Sequence, residues 1–124
     1  MKISIYDPSR EFTPRPAVTM KDCARIELEA NEQVTFVTQA GGEYDVARKD
    51  WGFYATPSLN GRLANFALRA VLVRNSTNFF FLLLVEKGKE LQFQEYVNTE
   101  HLAIVCWMDN LNALKALEQR RASN

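Results

Sequence analysis

Asn65–Val73 and Phe79–Val85 are two apolar runs separated by Arg74-Asn75-Ser76-Thr77-Asn78, and that arrangement leaves the chain few folds to choose from. Each run has the length of a strand, and the segment between them is rich in residues whose side chains hydrogen-bond the backbone of a turn. The first run alternates weakly and becomes apolar on both faces at Ala70-Val71-Leu72-Val73, which predicts a central strand. The second carries no polar face at all and predicts a fully buried partner. Together they predict a long antiparallel hairpin that organises the sheet. A strand apolar on both faces needs cover on both, more than two short helices give, so the same run predicts self-association.

The flanking segments extend this pattern. Pro8, Pro14 and Pro16 keep residues 7–17 out of helices, which predicts an extended N-terminal arm over 1–17, with a first strand at Lys2–Tyr6. Ala24, Ile26 and Leu28 alternate with polar residues, as do Val34 and Phe36. Gly41-Gly42 then marks a hairpin turn, because primed turns need positive φ, and Glu43–Ala47 is the return strand. After Gly88, Phe93, Tyr96 and Val97 recur at helical spacing as one buried stripe. Ala103–Trp107 reads as another strand. Asp109 reads as the N-cap of a closing helix with Leu111, Leu114 and Leu117 on one face. Strands first and helices last predict a single α+β domain over 1–124, with a strand-rich part at 18–86 and a helix–strand–helix part at 87–124. The preferred picture is a mainly antiparallel curled sheet or small open barrel with two C-terminal helices packed on it; a sandwich half closed by dimerisation is the second.

Charge narrows the function classes. Fifteen basic and fifteen acidic residues balance to zero, so the chain lacks the basic excess that nucleic-acid and membrane-surface binders use, and neither partner is expected. A neutral chain is also weakly protected against association with itself, and a homo-oligomer is expected. The first residues hold no apolar stretch of signal-peptide length and no window approaches a membrane span, which predicts a cytoplasmic protein. Cys23 and Cys106 are far apart and make no metal or redox spacing; both are expected as buried thiols.

Catalytic patterns are sparse. His101 is the sole histidine, so a multi-histidine metal site within one protomer is excluded, and no metal or cofactor is expected. At a helix end it is better read as complementing the helix dipole. Glu43 and Asp45 lie two apart on one strand face, where they could share acid and base roles or simply face solvent. Between Trp51 and Val85 stand Arg62, Arg69 and Arg74 with no acidic residue. They either form an anion site or pair with Glu27, Glu29, Glu43 and Asp45 on neighbouring strands, and pairing is the commoner outcome. Trp51 and Phe53 are expected mostly in the core. Tyr54, Ser58, Asn60 and Arg62 are the exposed candidates for ligand binding, on a loop stiffened by Pro57 and turned at Gly61.

The stretches WGFYATPSLNGRL, LRAVLVRN and LLLVEKGKE, within residues 43–108, resemble a family of small uncharacterised bacterial proteins associated with gene clusters for cell-surface polysaccharide or sugar transfer. The resemblance implies a bacterial cytoplasmic setting and a carbohydrate-pathway role, and it supplies no catalytic residue. Three readings follow. The first is a non-catalytic accessory or binding module of such a pathway. The second is a small enzyme acting on an anionic sugar or nucleotide-sugar, with Tyr54 or Glu43/Asp45 as acid–base groups and Arg62 or Arg69 as the anion clamp. The third is a structural protein whose sheet edge pairs with a partner.

Overall fold

The computed structural model describes residues 1–16 and 18–123, with side chains through residue 120. The elements run β1 (Lys2–Arg15), β2 (Val18–Glu27), β3 (Gln33–Val37), β4 (Glu43–Lys49), β5 (Gly52–Tyr54), α1 (Arg62–Asn65), β6 (Leu68–Arg74), β7 (Phe80–Glu86), α2 (Glu90–Thr99), β8 (Ala103–Trp107) and α3 (Leu111–Ser123). The fold is α+β: antiparallel strands dominate, the longer helices come last, and none of the sheets closes into a barrel. The strands form the sheets β1-β2, β3-β4-β5 and β7-β6-β8. Two compact units result, one of Met1–Gln33 with Ala47–Tyr54, the other of Val34–Val46 with the chain from Ala55 onward. β4 runs from the second into the first.

In the first unit, β1 and β2 form a long ribbon. Residues 7–15, expected as an extended arm, are extended and paired; Ala17 lies outside the described residues. The register shifts between Ile5 and Arg10 and again between Phe12 and Arg15, the two intervals that contain Pro8 and Pro14. A proline has no N–H for the ladder, so an irregularity is where an edge strand tolerates it. Ile3 faces Ile26 and Ile5 faces Ala24 on one side, while Lys2 faces Glu27 and Ser4 faces Arg25 on the other. Arg10 bonds Asp22 at 2.7 Å and lies over the Tyr6 ring at 4.0 Å. The N-terminal ammonium reaches Glu32 at 3.0 Å. Cys23 is exposed rather than buried, because most β2 side chains on this thin ribbon remain open. Trp51 and Phe53 are likewise not core, at 70% and 57% exposed: β5 is a three-residue edge strand with little surface to pack against.

The second unit holds the expected hairpin. β6 and β7 pair without interruption from Leu68↔Glu86 to Arg74↔Phe80. Asn75 closes the turn, its carboxamide oxygen accepting from the N–H groups of Thr77 and Phe79. β6 is central, as its two apolar faces predicted. Leu68 and Ala70 join Leu63 on one face, against Tyr44, Leu59, Leu84 and Met108. Val71 and Val73 join Val85 on the other, against Leu83, Phe93, Leu102, Ile104 and Trp107. β7, in contrast, is not fully buried. It occupies the sheet edge, with Phe79, Phe80, Phe81 and Leu82 between 45% and 65% exposed.

α2 lays Val97 and Phe93 on the second face, Phe93 meeting Trp107 edge-on at 5.7 Å. Tyr96 stays exposed, so the stripe is narrower than its spacing suggested. The helix ends in a Schellman motif, Leu102 N–H bonding the Val97 carbonyl and His101 N–H the Asn98 carbonyl, with His101 at φ 54°. His101 is thus the left-handed cap residue. Asn110, not Asp109, caps α3: its side-chain oxygen accepts from Ala113 N–H at 2.8 Å. Asp109 is held elsewhere.

Candidate functional site

The loop 55–62 is built downward from its turn. Ser58 accepts twice through its carbonyl, from Gly61 and Leu63, and its hydroxyl oxygen accepts from Arg62 N–H at 2.8 Å. A Cβ at Gly61 would sit 2.6 Å from that hydroxyl oxygen, so a larger residue there would turn the Ser58 side chain away from the Arg62 N–H. Pro57 is buried, and Leu63, the first apolar residue past the turn, is fully buried against β6. The loop is therefore anchored at both ends. Asn60 is exposed.

Arg62 does not stand free. Its Nε donates to Asp45 Oδ2 at 2.9 Å, and its guanidinium lies over the Phe66 ring at 4.6 Å. Asp45 also accepts from the Thr35 hydroxyl at 2.7 Å. That hydroxyl first, and Arg62 second, hold the Asp45 carboxyl below its ordinary range. The arrangement joins three neighbouring elements and leaves Asp45 ionised, an acceptor rather than an acid. Arg62, expected as a ligand contact, has its charge matched by a strand carboxylate. Arg62→Ala is expected to lower folding stability by no more than about 1 kcal/mol, as exposed pairs do, read by chemical denaturation.

Ser58 and Arg62 are thus brought together, with Asn60 beside them in sequence. Tyr54 ends β5 in the first unit, opposite Ala47, and its side chain is exposed there as expected.

Arg69 forms a second polar centre. Its Nε donates to Asp109 at 2.6 Å, its Nη1 lies 3.3 Å from Glu90, and its guanidinium sits 4.1 Å over the Trp107 ring. The hydrogen bond from Arg69 keeps the Asp109 carboxyl below the usual range, and that bond in turn raises the Arg69 pKa. The carboxylates expected to pair with Arg69, Glu27, Glu29, Glu43 and Asp45, all precede it in the chain. The actual partners follow it, where the turn from β8 into α3 and the first turn of α2 meet the sheet. Arg74 bonds the Asn75 carbonyl and the Asn78 side chain. Among the described residues, no group of three His, Cys, Asp or Glu side chains is placed to hold a metal ion. No helix there is long and apolar enough to cross a membrane.

The β7 edge carries an exposed apolar strip. β6 and β7 side chains alternate, so Phe80, Leu82 and Leu84 share the face that carries Ala70 and Leu68. At the Leu68 end Leu84 is covered by the first cluster. Toward the turn, Phe80 and Leu82 are 56% and 48% exposed. A shallow hollow of about 150 Å³ beside them is lined by Phe36, Val37, Tyr44, Leu68 and Leu84 together with Thr38, Gly42 and Glu86, and Phe36 stacks on Tyr44 at 5.3 Å. Residues 79–85, expected fully buried, instead present this surface from the sheet edge. The missing signal was strand order, which the run does not encode. Compared with known proteins, the chain matches no family model, no curated protein and no solved structure.

Proposed function

We propose that the chain is a non-catalytic binding module whose working surface is the β7 side of the second unit's sheet. The observation that carries this is an edge strand whose exposed residues are Phe79, Phe80, Phe81 and Leu82. Natural edge strands are blunted by charge, proline or bulges, and this one has none from Asn75 to Val85. An exposed apolar strip of that kind, on a rigid hairpin, suits strand-on-strand docking. The arginines that an anion-binding enzyme would need support the same reading: Arg62 and Arg69 are engaged by Asp45 and by Asp109 with Glu90. The setting we attach is the bacterial surface-glycan pathway that the resemblance of residues 43–108 implies.

A photo-crosslinking amino acid placed at Phe80 tests the surface, with Asn112, exposed on α3, as control. Irradiation of cells is expected to give a discrete adduct from position 80 and none from position 112. No adduct at 80, or the same diffuse products from both, would rule the surface out.

A further inference from the structure

We infer that the occupant of the β7 edge is a second copy of this chain, joined β7 to β7 antiparallel about a two-fold axis at Leu82; this rests on the binding surface just described. The direction of the backbone groups comes first. Phe79 C=O accepts from Asn75 N–H, and Lys87 N–H donates to Ala67 C=O, so both point toward β6. Antiparallel strands alternate, which turns Leu83 and its odd-numbered neighbours toward β6 and leaves Phe80, Leu82 and Leu84 with their N–H and C=O groups at the open edge. The uninterrupted register keeps that alternation regular along the whole strand.

Register is chosen by sequence. With the axis at Leu82, Phe79 faces Val85 of the other copy, Phe80 faces Leu84, Phe81 faces Leu83, and Leu82 faces itself. The apolar run then pairs entirely with its own copy. The nearest charges, Glu86 and Lys87, fall opposite Asn78 and Thr77, so no like charges meet. Moving the axis one residue to Leu83 sets Phe80 against Glu86 and Phe79 against Lys87. Directly opposed residues share a face, so the Phe80–Leu82 strip of one protomer continues into that of the other. The sheet becomes six strands in the order β8-β6-β7-β7-β6-β8.

Pairing of the two edges closes the open backbone groups of Phe80, Leu82 and Leu84 and brings the flanks of the opposed side chains together, while their outer faces run on as one apolar strip across the join.

Charge exchange at the axis tests both partner and register. Sedimentation of the full chain across the micromolar range is expected to show a dimer. Leu82→Lys and Leu82→Glu each set like charges against themselves and should weaken dimerisation on the order of 100-fold or more. An equimolar mixture of the two variants should dimerise again, which also certifies that both are folded. Independently, hydrogen exchange of the wild type should protect the amides of Phe80, Leu82 and Leu84 only at dimer-forming concentrations, while Leu83 and Val85 stay protected throughout. A monomeric wild type overturns the inference, as does edge-amide protection that ignores concentration. A dimer whose charge variants stay apart when mixed overturns the register. If the wild type is monomeric while position 80 still crosslinks to another protein in cells, the binding surface stands and the self-partner falls.

Discussion

Replacing Arg69 by Met is expected to cost about 3 kcal/mol of folding stability, at the low end for breaking a buried ion pair because the pair is not wholly buried. The Arg69 and Asp109 side chains are 27% and 13% exposed. Asp109 Oδ1 is already buried without a partner among the described residues, so removing Arg69 strips the carboxylate of its one strong donor. The stacking over Trp107 is lost as well. The pH dependence has a definite sign. A carboxyl whose folded pKa is depressed contributes stability that is present above its unfolded value, near 3.9, and disappears as pH falls through the folded value. The gap between wild type and Arg69→Met should therefore be full at neutral pH and shrink below about pH 4, where the wild type loses its contribution. Urea denaturation at neutral and acid pH measures both. A gap that is constant with pH would show that Arg69 acts by packing alone.

Leu63→Ala is expected to cost about 3 kcal/mol, within the usual range for emptying a leucine site in a core. Leu63 has no exposed surface, and Leu68, Ala70, Tyr44, Leu59, Leu84 and Met108 surround its cluster. α1 has only four residues, too short to hold itself by its own hydrogen bonds. Leu63 is its one buried side chain. The variant should also loosen the Ser58 turn, seen as faster hydrogen exchange at the amides of Arg62 and Leu63, which the Ser58 hydroxyl and carbonyl now hold. A loss below about 1 kcal/mol would mean that the cluster collapses around the void.

What the sequence revealed and what it hid divide along one physical line. The β6–β7 hairpin was legible because turn chemistry and apolar periodicity are local. The Gly41-Gly42 reversal was legible for the same reason. Sheet order is not local: an all-apolar strand reads alike at the centre and at the edge, so residues 79–85 were expected inside and lie at the border. Long-range pairing hid the role of Asp109, separated from Arg69 by forty positions. With Asp109 and Asn110 adjacent, the cap itself was ambiguous by one residue. β1 was obscured by prolines that its register shifts accommodate. Of the loop candidates, Ser58 and Arg62 lie on one turn, and the carboxylate that occupies Arg62 is one of the four that the sequence offers it.

The two clusters on opposite faces of β6 give Arg69 a further consequence, in the fidelity of assembly. Even-numbered residues of β6 serve one cluster and odd-numbered residues the other, so the strand has a parity. A slip by one position would exchange the two sets and carry the Arg69 guanidinium to the Leu63 face, away from Asp109 and Glu90. Val71 and Val73 would pass unnoticed in the wrong cluster; the arginine would not. β8 and Asp109 follow the hairpin in the chain, so the partner of Arg69 comes from an element outside the hairpin itself. Only a β6 of native parity presents its arginine on the side where Asp109 lies, so the pair discriminates between the two registers.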